Sequence, residues 1–514
     1  MNFVKRIIVP ILLGFFITWI FVFFSSFEII DVFLGTWLFT SISFILLFNL
    51  FLRLGSNKFL GIVVGIALFL RLGLGLITTE NLIDWGYDQE PYLSGYLFRD
   101  AYNRDMQSWE LAISDQPIGK AFSSDFISDQ YGGLLASSAI IYRLFTPNSH
   151  LQINIIFFVA LINVLGILFL GAGLKEKYGD NKSHILSKII IIIFAFYPDA
   201  ILFGASQMRE PLLLGFSAGL FWIIHKQNYK FWTRIAVFSF FSLLLMLVSL
   251  KIGIFLIFTF LIWLIFQPHI MPLRFINSKL IPIPIICMVL ITAYFSYNWI
   301  IEAGKWDAII LEQKSGFVQY IVSIIGTKYR LHFASLYGLF QPVLPAALVE
   351  PSKLFWRILQ SLRAAGWYII FPGLIYGLVY YFREKDKDAR KQFLVLWLIT
   401  IFWIFLSSIR AGGDMWDNPR YRLSFLVIIS FIVGKSLFGG WVRKDHWLIR
   451  IFVAELIFVL FFLQWYIARY TGLFENLSFF NMVYILSLLF GIILITGIIR
   501  EYKNYRIRKN HSDF

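Results

Sequence analysis

Apolar residues in this chain come in long, nearly unbroken runs, with charged residues collected between them. A helix needs about 20 apolar residues to cross a bilayer. Roughly fourteen runs qualify, near 7–24, 32–52, 59–79, 150–174, 184–204, 211–226, 234–250, 252–267, 279–298, 364–382, 392–409, 421–439, 447–468 and 479–499. The strand alternation of a barrel is absent, and lipid offers the backbone no hydrogen bonds, so helices are required. The pattern predicts an all-α polytopic membrane protein with about 14 transmembrane helices. Residues 131–146 (QYGGLLASSAIIYRLF) are apolar but too short to span, and predict an interfacial or re-entrant helix. No internal repeat is visible.

Two stretches exceed what a turn needs, about 80–150 and about 299–363. Extended loops carry function or act as lids more often than short connections do. The expected organisation is therefore two leading helices in 1–58, a core with two long outer loops and short interfacial helices in 59–440, and two closing helices with a basic tail in 441–514.

Composition narrows the class. Hydrophobic residues make up 59% of the 514, and charged residues only 15%, against about 25% in a soluble domain. One water-soluble core cannot hide so much apolar surface, which excludes a soluble enzyme and a disordered chain. The single cysteine, Cys287, excludes an intrachain disulfide. The net charge is +15, and its distribution is informative. With the N-terminus inside and the sides alternating, the inner segments hold 26 basic and 8 acidic residues, and the outer ones 17 and 21. This asymmetry places both termini in the cytoplasm, in what reads as a bacterial cytoplasmic membrane. The basic surplus then belongs to loops at the membrane surface and not to nucleic-acid binding.

Candidate chemistry gathers at the outer edge. Residues 80–131 contain ten acids against Arg99, Arg104 and Lys120. Asp88 and Glu90 precede Pro91, which biases Glu90 away from helix, so both belong on a turn ahead of a helix beginning near Tyr92. A carboxylate there can take a proton from a hydroxyl, or help to hold a divalent cation, although nothing indicates a bound metal. Arg71 lies mid-span, where a charge costs roughly 2.5–3.5 kcal/mol, so it should face the bundle or a wet cavity. Arg209 and Glu210 precede Pro211 at a helix start, Lys251 divides the apolar run 235–267, and Arg420, Tyr421 and Arg422 stand at the entrance of a span. Arginine forks match phosphate oxygens, and a lipid phosphate lies at this height.

These stretches resemble the GT-C superfamily of integral-membrane glycosyltransferases, which use polyprenyl-phosphate-linked sugars outside the cytoplasm. Asp88-Gln89-Glu90-Pro91-Tyr92 after the Arg71 span is similar to that family's catalytic loop. Asp129-Gln130-Tyr131 with Ile140–Phe145, Ser206–Glu210, and Pro419-Arg420-Tyr421-Arg422 are similar to its later loops. The two spans ahead of Arg71 and the lack of a C-terminal soluble domain depart from its commonest plan. The resemblance implies inverting transfer of one sugar from a polyprenyl-phosphate donor to a hydroxyl on a glycan, lipid or protein. It implies Asp88 as general base with Glu90 as runner-up, and cationic side chains at the leaving phosphate. Arg71, Tyr92, Arg209, Glu210, Lys251, Arg420, Tyr421 and Arg422 are the expected binding residues, with no metal ligand among them.

Three other classes share parts of this pattern. A polysaccharide polymerase or ligase would use the same donor with a glycan acceptor. A lipid-linked sugar transporter or flippase would make use of Arg71. A structural membrane protein would use the acidic loop only to bind a partner. The chain lacks a Walker loop, an H-E-x-x-H pair and a G-x-S-x-G elbow. An activated donor must therefore come from the membrane itself.

Overall fold

The computed structural model describes residues 3–24, 29–126, 132–179, 184–266, 282–473, 475 and 477–512. Among them every regular element is a helix. Among the described residues nine helices are long and apolar enough to cross a membrane, or up to twelve if each of three bent pairs is one span. The chain is a multi-pass membrane protein on these grounds.

The span pattern differs from the sequence expectation where helices are short, broken or prolonged. Glu210–His225 and Leu250–Ile265 have 16 residues each, shorter than a full span. Glu210–His225 is apolar all round and buried along its whole length, the pattern of a core helix. Its tight seat against Gln152–Tyr178 depends on glycine: a Cβ at Gly215 would stand 2.4 Å from the Ile162 carbonyl oxygen. The run near 184–204 is divided by Pro198, which opens a new helix, Pro198–Gly204, bent 47° from its predecessor. The run near 421–439 is likewise bent by 75° between Asp417–Leu423 and Leu426–Val442. The outer segment expected from about 299 begins as a continuation of the 33-residue helix Pro282–Lys314. The short helix expected over 131–146 is Gly133–Phe145; Asp129, Gln130 and Tyr131 lie outside the described residues.

Side-chain contacts sort the helix ends into two groups. At one end Lys226 meets Glu176, Lys177 approaches Gln392, and Arg383 bridges Asp445 and Glu501. At the other, Asp100, Glu210 and Arg420 meet, Asp307 faces Arg410, and Lys353 donates to the Gly86 carbonyl. The first end carries the basic stretches 383–391 and 443–450, and the second carries 80–126, with nine acids against three basic residues; the bundle has a basic end and an acidic end.

Between them, Arg71 is fully buried in Lys58–Trp85. Its guanidinium donates to Asn163 Oδ1 at 2.8 Å, to the Ala67 carbonyl at 2.8 Å and to the Ala195 carbonyl at 3.0 Å. Arg71, one of the expected binding residues, ties three helices together through neutral oxygens. Their fixed dipoles replace the water that this charge has lost.

Candidate functional site at the acidic end

Three segments far apart in sequence build the charged cluster. The first is the buried link 205–209, which leaves the Pro198–Gly204 helix and enters Glu210–His225. Pro211 suits that first turn because it has no N–H to satisfy, and Glu210 lies where a helix start favours negative charge. The second is Arg99–Ile113, whose inward face carries Ala101, Arg104, Asp105, Ser108, Leu111 and Ala112. Arg104 donates to the Gln207 carbonyl at 2.9 Å and so docks this helix on the link. The third is Asp417–Leu423. Its N-terminal approach is set by Asp414, which accepts from the backbone of Trp416 and Asp417.

Arg420 is the hub. Its Nε donates to Glu210 Oε1 at 2.6 Å, and one terminal nitrogen reaches Asp100 at 2.8 Å and Asp417 at 3.4 Å. Arg209 stands 3.6 Å from the same Glu210 oxygen. Glu210 is 1% exposed and Arg420 8%, whereas Asp100 is 52% exposed. Burial alone would raise the Asp100 carboxyl, but the facing Arg420, aided by Arg104 and Arg209, outweighs it and holds Asp100 below the usual carboxylate range. Arg410 caps the Tyr421 ring at 5.6 Å and faces Asp307 at 3.6 Å. Lys251, in the first turn of Leu250–Ile265, lies within electrostatic reach of Arg209 and Arg410.

The structure brings together five of the residues singled out in the sequence: Arg209, Glu210, Lys251, Arg420 and Tyr421. It separates Arg422 from Arg420. The segment is helical, so positions i and i+2 diverge by about 200° around the axis. Arg422 points the other way, donating to the Gln341 carbonyl with its guanidinium 3.9 Å over Trp367. Near it Arg363 donates to Asp199 and stacks 4.3 Å over Trp416. The two arginines of the R-x-R stretch therefore do not fork a single phosphate.

Asp88 and Glu90 lie on an exposed turn after Trp85, ahead of a short 3₁₀ helix that starts at Tyr92, Tyr92–Ser94, with the next α-helix starting at Arg99. Glu90 accepts from Ser94 at 3.0 Å. Among the described residues Asp88 makes no hydrogen bond or ion pair, and neither acid touches the Arg420 cluster. Tyr92 packs edge-on against Trp356 at 5.2 Å. Among the described residues, no group of three His, Cys, Asp or Glu side chains is arranged to hold a metal ion.

Asp100, Asp417 and Arg410 are members of the cluster that sequence reasoning did not single out. The helix of Asp100 carried a signal: Arg104, Asp105 and Ser108 share a helical face with Ala101, Leu111 and Ala112. Polar side chains on the apolar stripe of an amphipathic helix mark buried pairing. Chemically, the cluster holds several cations and a partly exposed carboxylate at one end of a membrane bundle. It can neutralise an anionic group and present a base beside it. No family model matches the chain, and neither a curated protein nor a solved structure does.

Proposed function

We propose that this chain is a membrane glycosyltransferase of the GT-C kind, moving a sugar from a polyprenyl-phosphate donor to an acceptor hydroxyl. The acidic end is then the non-cytoplasmic face, with both termini in the cytoplasm. The observation that carries this reading is the hub geometry: Arg420 bonded at once to the buried Glu210 and to the half-exposed Asp100. Glu210 fixes the guanidinium, while Asp100 is the partner able to leave. A donor phosphate taking its place exchanges one anion for another on Arg420, and Arg209, Arg410 and Lys251 add positive potential where charge develops on the leaving phosphate. The freed Asp100 carboxylate then stands beside the reacting centre, where a positioned base is worth roughly 10²–10⁴-fold. Asp88 remains the base expected from the resemblance to the family.

The test is a transfer assay on purified protein with a labelled polyprenyl-phosphate sugar, comparing Asp100→Asn, Asp88→Asn and Arg420→Lys at matched folded amounts. Arg420→Lys keeps the charge and loses the fork, and it should raise the donor KM. Loss of kcat in Asp100→Asn but not in Asp88→Asn assigns the base to the cluster, and the converse pattern assigns it to the turn. Full transfer by all three variants refutes the reading. The polymerase or ligase alternative shares this chemistry with a glycan acceptor. The transporter alternative drew on Arg71, whose nitrogens are occupied by neutral helix-joining contacts.

A further inference from the structure

A second set of groups lies away from Arg420. Asp105, fully buried, accepts from Tyr96 Oη at 2.5 Å and Tyr142 Oη at 2.8 Å, and its Oδ2 lies 2.8 Å from His150 Nε2. A carboxylate can only accept, so Nε2 carries the hydrogen, which leaves Nδ1 as the acceptor whenever the ring is neutral. The ring is held in place by stacking on Trp109 at 5.3 Å. His150 lines a cavity of about 540 Å³ together with Thr79, Glu80, Ser94, Tyr96 and Gln152. Among the described residues no lysine or arginine lines it. Thr79 Oγ1 and Gln152 Oε1 are buried with no hydrogen-bond partner. Unpaired buried polar atoms are costly; Gln152 Oε1 can only accept and the Thr79 hydroxyl can accept or donate, so this wall suits a ligand bearing hydroxyl groups.

The cavity has an apolar neighbour. A crevice of about 510 Å³ runs between the Phe3–Phe23, Ile29–Arg53 and Lys58–Trp85 helices, and it shares the walls Phe21 and Leu76 with the polar cavity. Its trough follows Gly61, Gly65, Leu68, Gly73 and Leu76 along one helix, roughly 22 Å at 1.5 Å per residue. A Cβ added at Gly65 or Gly73 would meet no atom within 4 Å.

We infer that the joined cavity and crevice bind a single-chain amphiphile, its tail in the glycine trough and an uncharged, hydroxyl-bearing headgroup against His150, Glu80, Thr79 and Gln152. A phosphate head is disfavoured because Glu80 would oppose it with no cation to compensate. The inference deepens the acceptor side of the proposed transfer, and rests on that reading only in calling the ligand an acceptor.

The experiment uses the full chain in phosphatidylcholine nanodiscs and two photoactivatable probes with the same diazirine-bearing dodecyl chain, one headed by glucose and one by phosphate. The glucoside should label Lys58–Trp85 saturably, be competed by plain dodecyl glucoside, and outcompete the phosphate probe about tenfold. Gly65→Phe and Gly73→Phe, each filling the trough, should abolish saturable labelling. His150→Phe should weaken it about fivefold, the size of one lost hydrogen bond. Equal labelling by the phosphate probe, or labelling unchanged in both glycine variants, overturns the inference, as does labelling competed by added phosphatidylcholine alone. The readout needs no sugar transfer. A chain that binds the glucoside and transfers nothing therefore sinks the transferase reading and spares this one.

Discussion

Removing Arg420 should damage the fold far more than removing Asp100, although both belong to one network. Arg420→Met leaves Glu210, which is 1% exposed, with only the longer contact to Arg209 at 3.6 Å. Breaking a buried ion pair from one side costs about 3–5 kcal/mol, and the remaining Arg209 should hold the loss near the lower end. Asp100→Asn removes a carboxylate that is 52% exposed, so its cost should stay below about 1 kcal/mol. The double variant Glu210→Leu/Arg420→Met replaces the pair by apolar side chains, which is often close to neutral. It should therefore be more stable than Arg420→Met alone, with a coupling of about 2–3 kcal/mol. The assay is unfolding of purified protein in mild detergent by titrated dodecyl sulfate, followed by tryptophan fluorescence. Unfolding of Arg420→Met no earlier than Asp100→Asn, or a double variant that loses the sum of the Arg420→Met and Glu210→Leu losses, would refute the buried pairing of Glu210 with Arg420.

Other expectations test separate parts of the structure. The Asp100 carboxyl is held low by Arg420, so its stabilisation is full above the ordinary aspartate value, about 3.9, and fades as pH falls through the lowered folded value. Between pH 5.5 and 3, wild type should lose more melting temperature than Asp100→Asn, and equal losses would refute this. Asn163→Leu should leave Arg71 without its side-chain partner and lower the yield of monodisperse protein, while Asn163→Asp should be tolerated; reversal of that order in size-exclusion profiles would contradict the clasp. Gly215→Leu should destabilise by at least about 1–3 kcal/mol through overpacking, whereas Gly65→Ala, in open space, should be neutral or gain up to about 1 kcal/mol; detergent melting curves decide between them.

The helical, membrane-spanning character was legible because long apolar runs have few other fates. The number of spans was less legible. Hydropathy does not tell a buried 16-residue helix such as Glu210–His225 from a lipid-facing one, and it does not see the bend at Pro198 or the long continuation of Pro282–Lys314. Arg209, Glu210, Lys251 and Arg420 were visible as charges beside apolar runs, since each interrupts a run at the same depth. The separation of Arg420 from Arg422 was not visible, because it depends on whether the segment is helical or extended. Asp100 and Asp105 were two of ten acids in one loop; the apolar face of their helix marks Asp105 for burial, whereas only its tertiary partner Arg420 distinguishes Asp100.

The most direct measurement incubates purified wild-type protein, in detergent and without compartments, with a doubly labelled polyprenyl-phosphate sugar and a hydroxyl-bearing amphiphile. Lipid phosphate should be freed in equal amount to sugar joined to the acceptor, with Arg420→Lys slowing both at limiting donor. A donor that stays intact in detergent, yet is carried across a sealed vesicle by the same protein, would contradict the transferase reading.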